Sequence, residues 1–84
     1  MPVYHFHLKF GESLTEDAEG ATLPDLQAAQ KFAQHAAKEL LAEAIRWGRR
    51  APPDSIVIAD HEGREVLTVF IADVLPANIR HRIR

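Results

Sequence analysis

"YHFHLKF", residues 4–10, places Tyr4, Phe6, Leu8 and Phe10 in strict alternation with His5, His7 and Lys9. Successive side chains of a β-strand point to opposite faces, so this period of two predicts a strand with an aromatic and aliphatic core face and a polar face. Residues two apart share a face, and His5 and His7 therefore project together. Their pairing has two readings: a start on a metal site through imidazole nitrogens, or the polar covering of a sheet or of a subunit contact. Gly11 ends the strand. The acid-rich "GESLTEDAEG" after it predicts a loop leading to a short return strand at about residues 21–23.

Downstream, "LPDLQAAQKFAQHAAKELLAEAIRWG" predicts one long helix, with Asp25 as N-cap and Gly48 as left-handed C-cap. Leu26, Ala29, Ala33, Ala36, Ala37, Leu40, Ala44 and Trp47 recur at spacings of three and four and form a stripe made mostly of alanine. Small side chains of this kind let a helix lie close against a sheet. Lys31, His35, Lys38, Glu39, Glu43 and Arg46 fall off the stripe and read as solvated surface. Phe32 and Ile45 lie outside its centre, where they widen the buried face or meet another chain.

Consecutive prolines in "RRAPPD" end the helix and form a connector too short to separate domains. "SIVIADHEGREVLTVFIADV" then predicts a hairpin, with strands at 55–59 and 64–72 and a turn at Asp60–Gly63. Its second strand is apolar on both faces: Val66, Thr68 and Phe70 alternate with Leu67, Val69 and Ile71. One helix covers one face, so the other needs a second cover. A symmetry-related copy supplies it, with Val66, Thr68, Phe70 and Phe32 as interface candidates; the intramolecular alternative folds residues 74–84 back, with Leu75, Ile79 and Ile83 over that face. The predicted fold is α+β, ββαββ in order, a small antiparallel sheet with one long helix packed on one face. Residues 1–74 form the domain and 75–84 a basic C-terminal segment. Tyr4, Phe6, Leu8, Leu26, Ala33, Leu40, Ile58, Leu67 and Val69 are the predicted core.

Composition bounds the function. A chain of 84 residues makes one small domain burying roughly 60% of the surface its unfolded form exposes, so a large cofactor site would have to be shared between chains. There is no cysteine, which excludes disulfides, thiolate zinc sites and a cysteine nucleophile. No basic leader with an apolar stretch and no apolar run of membrane-spanning length occurs, and the expected location is the cytoplasm. Residues 1–45 carry three lysines against seven acids and residues 46–84 seven arginines against five acids. This polarised balance suits contact between unlike halves better than nucleic-acid binding.

Other chemical candidates are thin. A metal held by His5 and His7 needs further ligands from His35, His61, His81 or the acids at 16–19, none at diagnostic spacing, and the economical reading of the pair is a polar face. Glu16, Asp17 and Glu19 lack the alternating oxygens of an EF-hand and read as a solvated loop. Ser13 and Ser55 sit in no G-x-S-x-G elbow, and no Gly-rich phosphate loop is present. Arg80, Arg82 and Arg84 alternate in "IRHRIR" and could meet phosphates, although a frayed terminus is the simpler reading. "DAEG" at 17–20 and "DHEG" at 60–63 echo one another because Asp and Gly both suit tight turns.

The "YHFHL" strand, the "DAEG" turn, "LPDLQAA" opening an alanine-rich helix and "VLTVFIADV" together resemble a family of small bacterial domains of unknown function that open with an aromatic-His strand, over nearly residues 3–74. The resemblance implies the fold and brings no catalytic residues. Over residues 23–53, "DLQAAQ", "AKELLAEAI", "WG" and "APP" are also similar to HicB-type antitoxins, without their Pro-Asp-Leu-Pro-Gly turn. The expected function is a non-enzymatic protein-interaction or oligomerisation module with no cofactor, a homo-oligomer with an unknown protein partner and no membrane or nucleic-acid role. The alternatives are an antitoxin-like regulator binding a toxin and nucleic acid, and a metal-dependent activity using His5 and His7.

Overall fold

The computed structural model describes residues 1–48 and 51–74. Five strands and one helix follow in the order β1 (Val3–Phe10), β2 (Ser13–Thr15), β3 (Ala21–Thr22), α1 (Leu26–Trp47), β4 (Ser55–Ala59) and β5 (Glu65–Phe70), with a 3-10 turn at Ile71–Val74. All pairings are antiparallel, the sheet order is β2-β1-β4-β5, and β3 also lies on β1. The α+β arrangement with a single long helix is as expected from the sequence. The return strand comes in two pieces: residues 13–15 pair with Leu8–Phe10, residues 21–22 pair with Val3 and Tyr4, and residues 16–20 leave the ladder between them.

The alternation in β1 is borne out where the strand crosses the helix: Tyr4 and Phe6 are buried, and Leu8 is half-buried against the same core. Across the ladder Phe6 faces Ile58 and Leu8 faces Ile56, and these face Leu67 and Val69 of β5. The inner surface of the sheet is therefore continuous and aliphatic. Ala29, Ala33 and Ala37 press on it with no exposure at all, as the small-residue stripe requires. The helix is capped as predicted. The Asp25 carboxylate accepts the Ala28 N–H at 2.8 Å, and Gly48, at φ 63°, takes the left-handed turn that returns its N–H to the Ala44 carbonyl.

Leu26 and Trp47, placed by the sequence on the buried stripe, are 37% and 63% exposed. The cause is length. A helix of 22 residues runs about 33 Å, whereas a strand of 5 residues such as β4 spans only about 17 Å, so both helix ends overhang the sheet. Leu40 is only half-buried against the core. The C-terminal hairpin forms on the predicted turn, with Gly63 at φ 84°. Strand β5 stops at Phe70 rather than reaching residue 72, because Ile71 begins the 3-10 turn that tucks its own side chain into the core. The basic segment and the candidate covering residues Leu75, Ile79 and Ile83 lie outside the described residues.

Candidate functional site

Between β2 and β3 the edge of β1 loses its ladder partner at residues 5–7, and the main-chain N–H of Phe6 would be left open. The Asp17 side chain takes that place: its Oδ2 accepts the Phe6 N–H at 3.1 Å while Oδ1 accepts the Gly20 N–H at 3.2 Å. The histidines flanking Phe6 grip the main chain of the same residue. His5 Nδ1–H donates to the Asp17 carbonyl at 2.8 Å, and the Asp17 N–H donates to His7 Nδ1 at 3.0 Å. The two rings stack nearly parallel, with centroids 6.2 Å apart.

These bonds fix opposite tautomers in the neutral rings, since a carbonyl only accepts and an amide N–H only donates: His5 carries its proton on Nδ1 and His7 on Nε2. Burial alone raises the Asp17 carboxyl, but the N–H groups of Phe6, Gly20 and Glu19, aided by the His5 ring, outweigh it and hold the group below its ordinary value. Gly20 completes the clamp. It sits at φ 73°, and a Cβ there would lie 2.8 Å from the Tyr4 carbonyl oxygen, so the loop reaches β1 only with glycine at this position.

The His-x-His pair thus anchors a loop through both of its Nδ1 atoms. His61 borders the same shallow cleft, together with Glu16, Glu62 and Glu65. His35 lies on the helix paired with Glu39 at 2.8 Å, away from the pair, and His81 is outside the described residues. Among the described residues no group of three or more His, Cys, Asp or Glu is disposed to hold a metal ion. Asp17, read from the sequence as one acid of a solvated loop, is the residue that organises this corner; its signal is an Asp three before a Gly, and the same chemistry recurs at Asp60. There Oδ1 accepts the N–H groups of Glu62 and Arg64, both at 2.9 Å, and the hydrogen bond from Arg64 leads the causes that hold the Asp60 carboxyl below its ordinary value.

The interface candidates divide. Val66, Thr68 and Phe70 lie together on the surface of β5 turned away from the helix, with Val66 38% and Phe70 53% exposed. Phe32 belongs to the opposite side, where its ring meets Phe6 with centroids 4.7 Å apart. It cannot share one patch with the other three. Arg80, Arg82 and Arg84 are outside the described residues. A second, more apolar cleft opens under the overhanging end of α1, between Phe10, Leu40, Trp47 and Pro53.

A five-stranded antiparallel sheet under one helix defines a small α+β domain. Residues 3–72 match the family described as Domain of unknown function (DUF6894), and the chain belongs to that family. No curated protein and no solved structure matches it. No helix among the described residues is long and apolar enough to cross a membrane.

Proposed function

We propose that the domain is a non-enzymatic association module whose contact surface is the helix-distal side of β5. The supporting observation is the exposure of Phe70 and Val66 beside Thr68 on a strand whose other side already fills the core. Apolar side chains grouped in this way on a soluble domain mark contact surfaces. His5, His7 and Asp17 are committed to the clamp and Asp60 to its turn. The antitoxin-like alternative draws on the similarity over residues 23–53 and on the tail arginines, and it adds a heterologous partner to the same class of function.

Light scattering of the full chain over a range of concentrations tests the proposal. A dimer or larger assembly that Phe70→Asp converts to monomer, with the circular dichroism spectrum kept, is the expected result. A monomer at every concentration would sink it.

A further inference from the structure

Strand β5 ends the sheet: among the described residues, β4 is its only ladder neighbour. The Ile71 N–H bonds to the Asp54 carbonyl at 3.0 Å on the β4 side. Ladder groups alternate along an antiparallel strand, so Leu67 and Val69 also direct their N–H and C=O toward β4. Those of Thr68, together with the Phe70 N–H, point outward from the open edge. Among the described residues the edge carries none of the usual guards along its length. Residues 65–70, "EVLTVF", contain no proline and no lysine, and their one charge is at the first position. The register shift where Glu65 meets Ala59 disturbs only the start of the strand.

We infer that the occupant of this edge is a second copy of the chain, joined by antiparallel pairing of β5 with its counterpart about a two-fold axis at Thr68. The inference rests on the association reading above and specifies its geometry. In this register Thr68 faces Thr68 of the second copy and exchanges both main-chain bonds with it. Phe70 faces Val66, an aromatic and β-branched pair that favours antiparallel pairing. No charged residue stands opposite a like charge. Leu67 and Val69 face one another across the axis and extend the buried inner surface from one copy into the next. An isologous contact of this kind closes on itself.

The absence of cysteine makes the register directly testable in the full chain. Facing residues of a hydrogen-bonded antiparallel pair have Cα atoms about 5.5 Å apart, within the range a disulfide spans. T68C is therefore expected to convert mostly to a disulfide-linked dimer under mild oxidation, and V66C to cross-link with F70C when the two are mixed. V66C alone should not, because its two copies lie about 14 Å apart, four residues along the strand. K38C, on the exposed helix face, sets the background for random collision. Thr68→Pro supplies a second measurement: it removes an outward N–H, which leaves the β4 ladder intact and should shift the dimer to monomer. A wild-type dimer in which T68C and the V66C–F70C mixture cross-link no better than K38C overturns the edge geometry and leaves the association reading standing. A wild-type chain that is monomeric throughout overturns both. If Thr68→Pro fails to fold, the cysteine pairs decide.

Discussion

The main-chain N–H of Asp17 points at Nδ1 of His7 from 3.0 Å, and this bond exists only while that nitrogen keeps its lone pair. Long-range proton–nitrogen NMR should therefore find the neutral His7 ring protonated on Nε2 and the neutral His5 ring on Nδ1. The reverse assignment at either ring would remove the clamp from the account of this corner. His7→Ala should cost about 1 kcal/mol in denaturant unfolding. Because His5 and His7 hold one residue between them, the double variant should depart from the sum of the singles.

With both Nδ1 atoms engaged and, among the described residues, no group of three or more His, Cys, Asp or Glu disposed to hold a metal ion, zinc titration followed by calorimetry should show no stoichiometric tight binding. A tight site abolished by His7→Ala would return the pair to metal chemistry.

Asp17 makes stability depend on pH in a definite direction. Its folded pKa is lower than its unfolded one, so its contribution is complete above the ordinary carboxylate range and is lost as pH falls through the lower folded value. Asp17→Asn replaces one acceptor by an amide donor opposite Phe6 or Gly20. It should cost about 1–3 kcal/mol at neutral pH, and the gap to wild type should narrow in acid. A gap that stays constant with pH would mean that the charge plays no part.

Two glycines with similar backbones should answer differently to alanine. Gly11, at φ 58°, has nothing within 4 Å of a Cβ, whereas Gly20 meets the Tyr4 carbonyl and the Val3 side chain at 2.8 Å. Gly11→Ala should cost about 1 kcal/mol for the left-handed backbone alone. Gly20→Ala should cost measurably more, because the loop must also back away from β1. Equal costs in thermal or denaturant unfolding would show that the loop yields freely.

Core truncations should follow burial rather than residue type. Ile58 is fully buried at the centre of the sheet, and Ile58→Ala should cost about 2–5 kcal/mol. Leu40, only half-buried against the core, should cost less on truncation. A larger loss at Leu40 would move the centre of the core toward the helix end.

Periodicity made the β1 faces, the alanine stripe and the 60–63 turn legible in the sequence, because each reflects a local rule applied over several residues. Leu26 and Trp47 were misplaced because helical phase assigns a face but not the extent of the sheet beneath it. The role of Asp17 was hidden for a different reason. It bonds main-chain and side-chain groups ten to twelve positions away, and no pattern along the chain records which strand edge lacks a partner. The histidines were found by pattern, and only the fold revealed that their shared acceptor and donor belong to one backbone residue.

The interruption of the return strand bears on stoichiometry. The two borders of the sheet are unlike: one offers the six residues of β5, while the other is broken into pieces of 3 and 2 residues with a loop standing out between them. Short, broken borders make poor templates for a further strand. Growth through main-chain pairing would therefore stop once the β5 sides had met. If the β5 edges pair as proposed, assembly ends in twos, without the hazard of fibre formation that two long open borders would carry.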